Sequence, residues 1–162
     1  MLTTRTQRAV KGTIAALAGI ACVALPALAA GPAEAATHAT ASPDTAYFDA
    51  INKGTTLWPG DYIYVYPTGG DGSLTQLIMQ TDGNLVQYGD NRTVVCFASN
   101  TYGHAGAYAT YQSNGALIVF SETGTPLWSS GTAGKGGTTV SMNEDNGSLW
   151  VGVTPIGDDP CY

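Results

Sequence analysis

The chain has 162 residues, 44% of them hydrophobic and 11% charged, with 21 glycines and 8 prolines. That balance excludes a charged disordered tail and a coiled coil, and it predicts one modest folded domain. The formal net charge is −6, and residues beyond position 36 carry three basic side chains, Lys53, Arg92 and Lys135, against eleven acidic ones. No basic cluster remains there to release counterions from a phosphate backbone, which argues against nucleic acid and anionic membrane as partners.

The N-terminal 36 residues read as a leader. Arg5, Arg8 and Lys11 precede an apolar run over 14–30, and small residues around Ala33-Glu34-Ala35 and Ala36 follow it. The pattern predicts a secretory signal peptide over 1–36 and an extracellular mature protein. Pro26 interrupts the run and no basic stop-transfer flank follows, so the segment is not read as a membrane span. Residues 37–50 begin small and polar and are predicted to form a flexible arm, with the folded domain over 51–162. Cys22 falls in the leader, leaving Cys96 and Cys161 as one even pair in an oxidising setting. A disulfide is expected, with two unpaired thiols as the alternative.

Within the domain, short alternating or apolar runs are divided by Gly, Asn, Asp and Ser clusters. Tyr62-Ile63-Tyr64-Val65-Tyr66, Leu77-Ile78-Met79, Leu85-Val86, Ala116-Leu117-Ile118-Val119-Phe120 and Leu149-Trp150-Val151 all read as strands of β hairpins, and no helical period competes. Sliding the chain by 32 residues superposes Gln80-Thr81-Asp82-Gly83-Asn84-Leu85-Val86-Gln87-Tyr88 on Gln112-Ser113-Asn114-Gly115-Ala116-Leu117-Ile118-Val119-Phe120. A further shift of the same size reaches Glu144-Asp145-Asn146-Gly147-Ser148-Leu149-Trp150-Val151-Gly152. A second marker recurs between copies, where Cys96-Phe97-Ala98-Ser99-Asn100-Thr101 parallels Leu127-Trp128-Ser129-Ser130-Gly131-Thr132, and Cys161-Tyr162 falls where a third is due. Three equivalent units are implied, each a small sheet unable to bury its own apolar face, so they must close around a shared interior. Phe97, Trp128 and Tyr162 are candidates for aromatic packing in that interior.

The first copy carries the chemistry. Asp82-Gly83 is a turn signal, and alternation then places Asn84, Val86 and Tyr88 on one face with Gln80 and Asp82 beside them, while Leu77, Met79 and Leu85 face the core. A carboxylate, two side-chain amides and a phenol around an apolar floor suit a neutral polyol, whose hydroxyls donate and accept together. The second copy keeps Gln112 and Ile118 but has Asn114 for the carboxylate, Ala116 for an amide and Phe120 for the phenol. The third has Glu144, Asn146, Ser148, Trp150 and Gly152. One competent site and two degenerate ones are predicted.

The run from Gln80 to Tyr88 matches the QxDxNxVxY signature of the bulb-type mannose-binding lectins at every specified position, and Pro126-Leu127-Trp128-Ser129-Ser130-Gly131-Thr132 resembles the segment that closes a subdomain in the same family. The chain is identified as resembling that family over residues 51–162, as a secreted bacterial member. The resemblance implies a β-prism II fold, all-β, with three four-stranded antiparallel sheets about a pseudo-threefold axis. It further implies metal-independent recognition of mannose-containing glycans, with Asp82 and Asn84 on the axial hydroxyl at C2, Gln80 on that at C3, Tyr88 on that at C4, and Val86 under the ring. Plant members commonly have a cysteine where Gly83 stands here, and many dimerise through a C-terminal strand; whether this chain forms a homo-oligomer is left open. An alternative use of the fold is a lectin-like antibacterial toxin, adhesin or interaction module with little mannose binding.

An enzyme is not predicted. Glu122, Glu144, Asp145, Asp158 and Asp159 lack a recognisable glycosidase context, and His38 and His104 have no nucleophile motif nearby. Two histidines and two distant cysteines lack metal-ligand spacing, and neither Asp71-Gly72-Ser73 nor Asp82-Gly83-Asn84 is long enough for a calcium loop, so no cofactor or metal is expected.

Overall fold

A computed structural model describes residues 44–162; the predicted leader and residues 37–43 of the arm lie outside the described residues. The N-terminal segment supplies three short strands, β1 (Ala46–Phe48), β2 (Ala50–Asn52) and β3 (Thr56–Leu57). The first repeat follows as β4 (Tyr62–Val65), β5 (Thr75–Met79), β6 (Leu85–Gly89) and β7 (Val94–Ala98). The second is β8 (Tyr108–Tyr111), β9 (Leu117–Phe120) and β10 (Pro126–Ser129), and the third is β11 (Thr139–Met142), β12 (Leu149–Val151) and β13 (Thr154–Ile156).

The strands make three sheets, ordered β1-β4-β5-β6-β7, β10-β9-β8-β3 and β13-β12-β11-β2. Each repeat therefore builds one sheet, as the 32-residue interval requires, and the segment 46–57 adds one edge strand to each. Two differences from expectation stand out. The first sheet has five strands where four were expected, because β1 joins β4 in parallel, with Ala46 opposite Tyr62 and Phe48 opposite Tyr64. Of residues 46–50, counted with the flexible arm, Ala46–Phe48 and Ala50 are thus strand residues held in two sheets, since β2 begins at Ala50 and pairs with β11.

Period-two alternation directs one face of every sheet inward. Ile63, Val65, Leu77, Met79, Leu85, Ala109, Tyr111, Leu117, Val119, Val140, Met142, Leu149 and Val151 form one buried cluster with Ile51 and Leu57. The shared interior follows from a simple deficit: a single small sheet cannot remove its apolar face from water, and three together can. Burial pushes the Tyr111 phenol above its ordinary pKa. Phe97 and Trp128 pack against this cluster with their ring centroids 5.2 Å apart, as predicted. Tyr162 does not join them. It is 41% exposed and lies over Gly70, while Ile156 of β13 is the residue of the third repeat that packs against the core from its edge strand.

Cys96 and Cys161 form a disulfide, with their Cα atoms 5.8 Å apart. The tail around it is tied on both sides, because Thr75 Oγ1 donates to the Cys161 carbonyl (3.0 Å) and the Cys161 N–H donates to the Asn146 carbonyl (2.8 Å).

Candidate carbohydrate site

The site residues ride on the hairpin between β5 and β6. Leu77 pairs with Gln87 and Met79 with Leu85, and the Gln80 N–H donates to the Asn84 carbonyl (2.9 Å), which brings Gln80 and Asn84 face to face. The turn closes through the Gly83 N–H donating to the Gln80 carbonyl (3.0 Å). Gly83 has φ of +94°, and a Cβ there would run into the His104 backbone, so the cysteine that plant members carry at this position has no place here.

Along this hairpin Leu77, Met79, Leu85 and Gln87 face the core and Ile78, Gln80, Asn84, Val86 and Tyr88 face outward, as alternation predicts. Gln80, Asp82, Asn84, Val86 and Tyr88 therefore share one surface. Val86, at 3% exposure, is a floor and not a wall.

The hydrogen bonds determine which polar atoms remain available. The Asn84 N–H donates to Asp82 Oδ1 (2.9 Å), an Asx turn that uses one carboxylate oxygen. Gln80 Nε2 donates to the Tyr88 hydroxyl oxygen (3.0 Å), which leaves the phenol proton free to donate outward. Asn84 Oδ1 accepts the Thr101 N–H (3.1 Å) and lies 3.0 Å from the Ser99 hydroxyl, so its Nδ2 must point away from β7. Among the described residues, the uncommitted groups are then Asp82 Oδ2 and Gln80 Oε1 as acceptors and Asn84 Nδ2, the second N–H of Gln80 Nε2 and the Tyr88 O–H as donors. Gln80 and Asn84 were expected to offer both functions each; internal bonding reduces Asn84 to a donor, while Gln80 keeps Oε1 and the second N–H of Nε2.

Ser99 and Thr101 were not singled out as site residues. The Leu85 N–H donates to Ser99 Oγ (3.0 Å), Ser99 Oγ lies 2.7 Å from Thr101 Oγ1, and Thr101 Oγ1 donates to the Gly83 carbonyl (2.7 Å). The second copy repeats this clamp: the Leu117 N–H donates to Ser130 Oγ (2.9 Å), Ser130 meets Thr132 at 2.7 Å, and Thr132 donates to the Gly115 carbonyl (2.6 Å). Its signal was the recurring Ser-x-Thr in the second marker of the repeat.

The other copies are closed in different ways. In the second, Asn114 Oδ1 accepts the Ala116 N–H (2.9 Å), so the turn survives without a carboxylate. Phe120 is 8% exposed and stacks on Tyr108 at 5.5 Å, and Trp58 lies 4.9 Å from the same tyrosine, so three aromatic rings pack together where the first copy has its phenol. Gln112 is half-buried at the closing pair of the turn, where its N–H donates to the Ala116 carbonyl (2.9 Å).

The third turn is one residue longer. Met142 pairs with Leu149 and the Asn143 N–H donates to the Ser148 carbonyl (2.9 Å), so Asn143, not Glu144, takes the strand position of Gln80, and Glu144 belongs to the turn. Asn146 Oδ1 accepts from the Ser148 N–H (3.1 Å) and hydroxyl (2.9 Å), Asn146 Nδ2 donates to Asp159 Oδ1 (2.7 Å), and Trp150 Nε1 donates to Ser148 Oγ (3.0 Å). Its polar groups are spent on one another. Glu122, Glu144, Asp145, Asp158 and Asp159 are exposed. Among the described residues no cluster of three or more His, Cys, Asp or Glu side chains could hold a metal ion.

No protein-family model matches the chain, and no curated protein matches it either. Solved structures do. The mannose-specific agglutinin from snowdrop (Galanthus nivalis) bulbs, complexed with methyl-α-D-mannoside, is 27% identical with a TM-score of 0.51, over 68% of this chain and 91% of its own. A lectin from Allium sativum is 28% identical with a TM-score of 0.54, over 68% of this chain and 98% of its own. The mannose-specific bulb lectin of bluebell (Scilla campanulata) is 28% identical with a TM-score of 0.53, over 68% and 92%. The chain thus has the β-prism II fold of the bulb-type mannose-specific lectins, and these are its structural neighbours.

Proposed function

We propose that this chain is a secreted, metal-independent binder of mannose or mannose-containing glycans that acts through the hairpin carrying Gln80, Asp82, Asn84, Val86 and Tyr88. The observation that carries the reading is the set of uncommitted groups: two acceptors and three donor groups on one surface over an apolar floor. Neighbouring sugar hydroxyls are each donor and acceptor, so this mixture can bond them cooperatively, and a sugar with one hydroxyl misplaced would leave a protein group unpaired at about 1–3 kcal/mol. Recognition needs no ion, because every required partner is a side chain. The snowdrop and bluebell neighbours are mannose-specific by name, which supports the same ligand here.

The test is calorimetry with methyl α-mannoside on the wild-type protein and on Asp82→Asn. Asn114 shows that an Asn at this position sustains the Asx turn, so the variant should keep its thermal midpoint while losing one ligand acceptor, with binding weakened by roughly ten-fold or more. Binding should persist in chelator. Unchanged affinity in Asp82→Asn, or loss of binding on chelation, would overturn the reading.

A further inference from the structure

On the outer face of the first sheet, beside the hairpin, lies a groove of about 570 Å³ that the sugar signature does not include. Its walls carry Tyr62, Tyr64 and Tyr66 of the β4 region, Gln76 of β5, and Arg92 and Asp44 from the flanking segments. The groove adjoins the mannose hairpin through the sheet itself, since Gln76 pairs with Tyr88 on one side and with Tyr64 on the other. Strands are spaced by about 4.8 Å, so Tyr64 stands roughly 10 Å from Tyr88, within reach of a second unit of one oligosaccharide.

We infer that this groove is a second subsite for a neutral pyranose, the unit linked to the mannose held at the hairpin; the inference rests on the mannose reading. Three observations favour a neutral sugar. The tyrosines form a row of tilted and T-shaped pairs, with ring centroids 5.9 Å apart for Tyr62 and Tyr64 and 6.0 Å for Tyr64 and Tyr66, and Tyr66 is 56% exposed, which leaves ring surface for the C–H face of a sugar. Arg92 supplies only donors and Asp44 only acceptors, so the groove carries both hydrogen-bonding functions and no formal net charge. Gln76, which lines the floor, is 1% exposed, and its Nε2 has no hydrogen-bond partner among the described residues. A buried amide donor is normally satisfied, and a ligand hydroxyl reaching the floor would satisfy this one.

The groove exists because β1 pairs with β4. Ala46 and Asp44 form its far wall, and without the fifth strand the tyrosine array would end in solvent.

The test compares methyl α-mannoside with an α-linked mannotriose by calorimetry, on wild type and on a Tyr66→Ala/Arg92→Ala variant whose two side chains are exposed and whose thermal midpoint should not move. Wild type should bind the trisaccharide roughly ten-fold tighter than the monosaccharide, and the variant should lose most of that advantage while its monosaccharide affinity stays within about two-fold. Equal affinity of wild type for the two ligands would overturn the subsite and leave the mannose reading intact. A variant that weakens both ligands alike, or keeps the full trisaccharide advantage, would also overturn it. No binding of either ligand to wild type would overturn the subsite and the mannose reading together.

Discussion

The second repeat is a set of natural controls for individual residues of the first. Phe120 occupies the position of Tyr88 in a sheet that folds, with its ring packed on Tyr108. Tyr88→Phe should accordingly leave the thermal midpoint of the protein nearly unchanged. It removes a ligand donor, and it also removes the oxygen that holds Gln80 Nε2, so the Gln80 side chain loses its fixed orientation. Mannoside affinity should fall by roughly ten-fold or more, measured by calorimetry, with an accompanying loss of preference for the sugar carrying the C4 hydroxyl in the expected position. Undiminished affinity would mean that the phenol serves only the protein. The five polar and apolar positions of this hairpin were legible in the sequence, because strand alternation and an Asp-Gly turn determine which side chains share a face. Which of their atoms stay free was not legible. That depends on the Ser99 hydroxyl and the Thr101 backbone, which reach Asn84 from the segment just after β7, 15 and 17 residues further along.

At the scale of the strand pair, the Ser-x-Thr clamp explains why hairpin and marker repeat together. In the first two hairpins the second strand begins with a buried N–H, that of Leu85 or Leu117, whose acceptor is the serine hydroxyl just beyond the following strand. Ser99→Ala and Ser130→Ala should each destabilise the fold by about 1–3 kcal/mol, read from urea midpoints, because each leaves such an N–H without its acceptor. Only Ser99→Ala should also weaken mannoside binding, since Asn84 loses a group that orients its amide and Ala116 has no amide to lose. Similar effects of the two variants on binding would remove Ser99 from the site. The three-sheet architecture was readable from the interval of the repeat. The extra residue in the third turn was not, because Gly147 and Leu149 keep the 32-residue spacing while β11 is offset by one, and the shift shows only in the pairing of Met142 with Leu149. The parallel β1 escaped for a related reason: Ala46-Tyr47-Phe48 is too short to show a period, and its place is decided by the open edge of β4.

For the molecule as a whole, the disulfide is where the first sheet, the third hairpin and the C-terminal tail are fastened together. Cys96 lies on β7, Cys161 bonds through its backbone to Thr75 and Asn146, and Gln87 Nε2 reaches from β6 to the Gly147 carbonyl at 2.7 Å. The two cysteines are 65 residues apart, a separation that in the chain-entropy account contributes about 4 kcal/mol by restricting the unfolded chain. A domain of this size is stable by roughly 5–15 kcal/mol, so the cross-link is a large share of the total. Reduction should lower the urea midpoint by an amount equivalent to about 4 kcal/mol. The hairpin proposed to hold mannose is fastened by its own turn and by the Ser99 clamp, neither of which passes through the sulfurs, so the folded reduced protein should bind methyl α-mannoside within about two-fold of the oxidised form. If reduction instead abolished binding while the fold persisted, the tail would be shaping the hairpin through the contact between Gln87 and Gly147. The site would then be a property of two repeats together and not of one.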